Sequence, residues 1–98
     1  MVETSDVSFL KYHVYILVSL RDGGFYIGFT TDLKHRLLKH EKGEVTSTKF
    51  RTPFKLIYYE SFLDREDALA REEFLKSGFG RKNFKAMLKR TLAAHNYI

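Results

Sequence analysis

The sequence predicts an α/β domain: a small three-stranded sheet, antiparallel or mixed, flanked by helices in the order ββαβαα. Three observations carry this. Two runs rich in aromatic and β-branched residues, "YHVYILVSL" and "FYIGFT", stand either side of "RDGG". A third run, "FKLIYYESF", alternates along its length as a half-buried strand does. Between and after these runs lie stretches with apolar residues at helical spacing and capping residues at their ends.

The first strand, "YHVYILVSL", barely alternates, so it is expected to be largely buried. Asp22-Gly23 is a turn signal, which makes "FYIGFT" the returning arm of a hairpin. Gly28 inside that arm marks a bulge or a close approach by backbone or ligand. Thr31 or Asp32 then offers an oxygen to cap a helix, and Gly43 suits its C-terminal end. "EVTSTKFRTP" is polar, holds the one proline, and reads as a loop before the third strand. Asp64, with Asp67 three residues on, resembles a capping box opening the helix "REDALAREEFLKSG". Gly78 and Gly80 break that helix, and "RKNFKAMLKRTLAAH" closes the chain as a single basic helix. Residues 1–10 are expected as a flexible N-terminus and residues 11–94 as one domain, without repeats or linkers.

Composition narrows the chemistry. At 98 residues the chain is near the size where a single core is just adequate, and nine Phe and six Tyr help to supply it. With no cysteine there are no disulfides, thiolate metal sites or cysteine nucleophiles. No apolar run approaches the roughly 20 residues that span a bilayer, and the N-terminus lacks a signal-peptide pattern. The cytoplasm is therefore the expected compartment. The net charge of +5 is uneven: residues 34–55 hold seven bases against two acids, and residues 74–98 hold six bases and no acid. Clustered bases fit either a solvated surface or a polyanionic partner such as nucleic acid.

Several polar residues occupy apolar faces. On a helix beginning at Leu33, with 100° per residue, Leu37 lies about 40° from Leu33 and His40 about 20° to the other side. Arg36 falls about 60° from Leu33, on the edge of the same stripe. Alone, His40 reads as a core histidine satisfied by a backbone carbonyl, and Arg36 as a side chain snorkelling to water. Together they mark an anion site at the rim of the sheet. Glu72 stands between Ala68 and Leu75 on one face, so its carboxylate needs a base, with Arg65 and Lys76 in reach, or a metal. Tyr15 and Tyr26 sit one on each arm of the hairpin.

In order along the chain, Tyr15, the tripeptide Tyr26-Ile27-Gly28, Arg36, His40 and "ALARE" ending in Glu72 resemble the motifs of the GIY-YIG nuclease superfamily, in particular its small stand-alone bacterial members. The first half-motif reads His13-Val14-Tyr15, with histidine where the family carries glycine. That histidine is expected on the strand face opposite Tyr15. Asn83 lies near where many members carry an asparagine. The resemblance covers roughly residues 11–90 and implies a phosphodiesterase dependent on a divalent metal, Mg2+ or Mn2+.

On that resemblance Tyr15 is the general base or a relay to it, its phenol made acidic by a nearby cation. Arg36 grips the scissile phosphate through two oxygens, and Glu72 holds the metal. Tyr26 and His40 orient water and phosphate, with His40 able to shuttle a proton. Lys34, Lys39, Lys49, Arg51, Lys82 and Asn83 are the expected nucleic-acid contacts, with DNA placed ahead of RNA and single-stranded or branched DNA in repair or processing ahead of an intact duplex. The protein is expected to act as a monomer and to have no membrane partner. The alternative is a domain of the same fold that binds nucleic acid without cutting it.

Overall fold

A computed structural model describes residues 7–94. The expectations for residues 1–6 and 95–98 lie outside the described residues. Strands Tyr12–Ser19 (β1), Phe25–Thr30 (β2) and Phe54–Phe62 (β3) form one antiparallel sheet in the order β2-β1-β3. The helices are Leu33–Glu41 (α1), Arg65–Lys76 (α2), Gly78–Met87 (α3) and Lys89–Ala94 (α4). This is the predicted α/β architecture, and the sheet is antiparallel throughout.

The central place of β1 explains its composition. Val14 through Ser19 are all buried, because both faces and both edges of the strand are covered. Alternation divides its side chains. Val14 and Ile16 point into a core with Ile27, Ala68, Leu75 and Phe84, each at most 4 % exposed. Burying such side chains contributes about 1.5–3 kcal/mol each. Tyr15 and Leu17 point the other way, with Tyr26 and Gly28 of β2 on their face through the pairs Leu17↔Tyr26 and Tyr15↔Gly28.

Local signals set most boundaries. Asp32 caps α1 by accepting the His35 amide at 3.1 Å, and Gly43 just past its end has φ +73°. Asp64 accepts the amides of Glu66 and Asp67 to open α2. The hairpin loop is longer than a two-residue turn: residues 20–24 connect the strands, with Gly23 at φ +74°. Gly28 is not a bulge. The register shift lies in β3, where Ile16 pairs with Tyr58 and Leu17 with Leu56.

The end of the chain differs from expectation. The predicted single helix from Arg81 is two helices, and the first already starts at Gly78. Ser77 is the reason, since its hydroxyl accepts the Gly80 amide at 3.1 Å and so caps a new helix within the predicted break. Gly80 is required there because a Cβ would collide with the carbonyl of Phe74. No helix among the described residues is long and apolar enough to cross a membrane.

Candidate active site

The site forms where α1 lies across the Tyr15 face of the hairpin. Strand register puts the phenol of Tyr15 over Gly28, and Tyr26 stands beside it with ring centroids 6.2 Å apart. The Asp32 cap fixes where α1 begins, and the four-residue spacing then puts Arg36 and His40 one above the other. His40, 1 % exposed, brings Nε2 to 2.8 Å from the Tyr15 hydroxyl. Arg36 donates through Nε to the same hydroxyl at 3.4 Å. The Tyr26 and His40 rings meet edge to face at 5.0 Å. His40 and Arg36 thus meet at the Tyr15 phenol oxygen, with the Tyr26 ring beside them.

The other imidazole nitrogen, Nδ1, lies 2.8 Å from Oγ1 of Thr48 in the loop before β3. Beyond His40, toward β3, a cavity of about 400 Å³ opens between Leu17, Leu37, Glu41 and Phe54.

Burial dominates the electrostatics. It pushes the Tyr15 phenol up to about 12, although the hydrogen bond from Arg36 pulls the other way. Arg36 by itself does not make this phenol acidic, because desolvation of the phenolate outweighs one guanidinium. The His40 imidazole is driven down to about 4, first by burial and then by the charge of Arg36. Arg36 is held above its ordinary value, chiefly by its hydrogen bond to Tyr15 and also through Tyr26. At neutral pH the cluster holds a neutral phenol, a neutral imidazole and one guanidinium. One guanidinium among neutral partners is an arrangement with charge to offer an anion.

Glu72 comes from α2, the helix that packs on the opposite face of the sheet and against the edge strand β2. Its carboxylate is partly buried, at 18 % exposure, and pairs with Lys76 at 3.1 Å, one of the two predicted bases; Arg65 pairs with Glu66 instead. Glu72 raises the Tyr15 phenol through space as the smallest of the causes acting on it, so the two share one field. Among the described residues no group of three or more His, Asp or Glu side chains could enclose a metal. What is present is one carboxylate, on the helix across the sheet, whose charge reaches Tyr15 through space. That fits Mg2+ or Mn2+, which keep several waters and need only one or two protein carboxylates plus substrate oxygens.

The predicted nucleic-acid contacts are spread over three places: Lys34 and Lys39 on α1, Lys49 and Arg51 in the loop before β3, and Lys82 and Asn83 on α3. Lys34, Lys49, Lys82 and Asn83 are exposed. Arg51 is committed elsewhere. Its guanidinium pairs with Asp22 at 2.9 Å, reaches the Phe25 carbonyl at 3.5 Å and lies over the Phe54 ring. The pair holds the exposed Asp22 carboxyl down at about 2.

His13 corrects an expectation. It shares the face of Tyr15, as residues two apart on a strand must, and is accommodated because its Nδ1 meets the Ser61 hydroxyl at 2.7 Å and its ring lies edge-on to Tyr59. Two networks were not foreseen. Thr48 left no local signal, since its partner lies eight residues back on a helix. Glu60 did leave one: it is a carboxylate in register with Val14, on the core face, and it takes a two-pronged salt bridge from Arg71 at 2.8 and 3.0 Å.

The family model described as the GIY-YIG catalytic domain matches residues 11–85. A UPF0213 protein of Streptococcus pneumoniae is 43 % identical over 67 residues, which cover 67 % of this chain and 67 % of the relative. The UPF0213 protein SSP2268 of Staphylococcus saprophyticus is 37 % identical over 76 residues, covering 76 % and 92 %. A UPF0213 protein of Limosilactobacillus reuteri is 38 % identical over 81 residues, covering 80 % and 83 %. No solved structure matches the chain at a significant level.

Proposed function

We propose, from the premise that the chain belongs to the GIY-YIG family, that it is a metal-dependent endonuclease hydrolysing phosphodiester bonds in DNA. The observation that carries this is the meeting of Arg36 and His40 at the Tyr15 phenol oxygen, with the Tyr26 ring beside it and a guanidinium bonded directly to it. A structural cluster needs no such charge beside a buried phenol. A site for a phosphate does.

Arg36 holds the scissile phosphate, since its fork matches two oxygens while Nε keeps Tyr15 in place. Water attacks phosphorus, the P–O bond to the leaving oxygen breaks and that oxygen takes a proton from solvent, while the proton lost by the attacking water passes to the Tyr15 oxygen. Tyr15 gives its own proton to His40 Nε2, 2.8 Å away, so it serves as a relay and His40 as the acceptor. The Arg36 charge depresses His40 in the empty site. A bound phosphate offsets that charge and makes the imidazole a better base at the moment it is needed. Tyr26 lines the site and limits where water can stand. Glu72 would hold Mg2+ or Mn2+, which when bound supplies positive charge to the phosphate oxygens as negative charge builds on them. One such site cuts one strand, so nicking or cutting of single-stranded or branched DNA, by a monomer in the cytoplasm, in repair or processing, is the favoured setting.

The test is a cleavage panel of single-stranded, duplex, flap and RNA substrates with Mg2+ or Mn2+, run beside Glu72→Ala. Cleavage by the wild type that needs the ion and is lost in the variant is the expected result. Cleavage unaltered by Glu72→Ala would overturn the assignment, and tight binding with no cleavage would favour the non-catalytic reading.

A further inference from the structure

Thr48 is fully buried and belongs to the loop that joins α1 to β3. Its hydroxyl has two neighbours: Nδ1 of His40 at 2.8 Å and the carbonyl oxygen of Val45 at 3.3 Å. A hydroxyl carries a single hydrogen, and a carbonyl can only accept. The hydroxyl is placed to donate to the Val45 carbonyl at 3.3 Å, and in that arrangement the Thr48 oxygen is an acceptor toward His40. It follows that Nδ1 of His40 bears the ring proton. A neutral imidazole has one N–H, so Nε2 is bare and accepts from the Tyr15 hydroxyl at 2.8 Å. The Tyr15 oxygen, having given away its hydrogen, keeps lone pairs for the Arg36 Nε–H. In this arrangement each proton from Arg36 to Val45 has one direction.

The loop is held firmly enough to impose this. The amides of Thr48 and Lys49 both bond the Val45 carbonyl, at 3.0 and 2.9 Å. Three residues on, the Arg51 carbonyl accepts from the buried hydroxyl of Ser19 at 2.6 Å. Ser19 in turn accepts the amides of Arg21 and Asp22, each at 3.1 Å, so the loop is tied to the hairpin turn.

We infer that Thr48 is a positioning residue: it fixes His40 as the Nδ1–H tautomer and so keeps Nε2 free as the acceptor for the Tyr15 proton. The opposite tautomer would point an N–H at Tyr15 and leave the relay without an acceptor. The catalytic consequence rests on the proposed nuclease reading; the tautomer does not.

Long-range 1H–15N correlation spectra of the labelled full chain at neutral pH read the tautomer directly, for wild type, Thr48→Ser and Thr48→Val. Wild type and Thr48→Ser are expected to show His40 protonated on Nδ1, and Thr48→Val to move toward the Nε2–H form. In cleavage assays Thr48→Val should lower kcat by about 10–100-fold with KM nearly unchanged, by analogy with the loss of a hydrogen bond that orients a metal-bound imidazole, and Thr48→Ser should restore it. An Nε2–H imidazole in the wild type, or an Nδ1–H population unmoved by Thr48→Val, overturns the inference. Should Thr48→Val not fold, the spectra of the wild type and Thr48→Ser decide it. Spectra as expected with no cleavage by any protein would support the tautomer and overturn the nuclease reading instead.

Discussion

Gly28 lies directly across the strand pair from Tyr15, and the phenol occupies the space where any other residue would carry a Cβ. That Cβ would stand 2.8 Å from Cε1 of Tyr15 and closer still to Cζ and the hydroxyl. A flexible side chain could give way. This one cannot, because it is fully buried and pinned by His40 and Arg36.

Gly28→Ala is therefore expected to destabilise the fold by about 1–3 kcal/mol, the usual cost of overpacking, and to displace the phenol. Thermal melting should show Tm lower by several degrees, on the order of 4–8 °C for each kcal/mol in a domain of this size. A variant melting with the wild type would mean that Tyr15 does not rest on Gly28.

Acid should weaken the fold through His40. Its pKa falls from the ordinary 6.5 unfolded to about 4 folded, so between those values the unfolded chain binds the proton and the folded one does not. The contribution is present above about 6.5 and is lost as pH falls toward 4. At about 1.4 kcal/mol per unit it reaches on the order of 3 kcal/mol. Tyr15 acts at the other end: its pKa rises from 10.0 to about 12, so its contribution is complete below 10 and is lost as pH climbs through 12. Urea titrations from pH 4 to 7 should show this slope in the wild type and a flatter one in His40→Gln. Equal slopes would contradict the buried neutral imidazole.

Arg36→Lys keeps the charge but loses the fork and the Nε–H that reaches Tyr15. Single-turnover cleavage should slow by at least about 10-fold while substrate binding changes less. Wild-type rates in this variant would show that a point charge suffices.

Binding to duplex DNA should weaken with salt along a log–log slope near −4, for about five phosphate contacts. Lys49→Ala should make that slope shallower by about one unit. Arg51→Ala should leave the slope nearly unchanged, because the Arg51 guanidinium is already committed to Asp22 and the Phe25 carbonyl. Gel shifts over a salt series distinguish the two; an equal loss of slope in both would place Arg51 on the phosphate backbone.

What the sequence made legible follows from how local each signal is. β2 and β3 coincide with the runs read from alternation, because side-chain period and cap chemistry are local. The helical face of Arg36 and His40 was likewise readable, since 100° per residue needs no tertiary knowledge. Their hydrogen-bond partners were not. His40 meets a threonine and a tyrosine rather than a backbone carbonyl, and both partners arrive through the fold. The Ser77 cap was local yet passed over in favour of the glycines beside it, and the paired Glu60 and Arg71 were overlooked on strand and helix alike. The acidity of Tyr15 lay furthest from reach, because it depends on how completely the phenol is buried, and burial wins over Arg36.

The relay can be tested at its first member. Tyr15→Phe keeps the ring over Gly28 and removes only the oxygen that joins Arg36 to His40. Under single-turnover conditions with saturating Mg2+, the variant should bind substrate about as well as the wild type and cleave it about 100- to 10,000-fold more slowly, as loss of a proton-transfer group does. Cleavage by Tyr15→Phe at the wild-type rate would contradict the account.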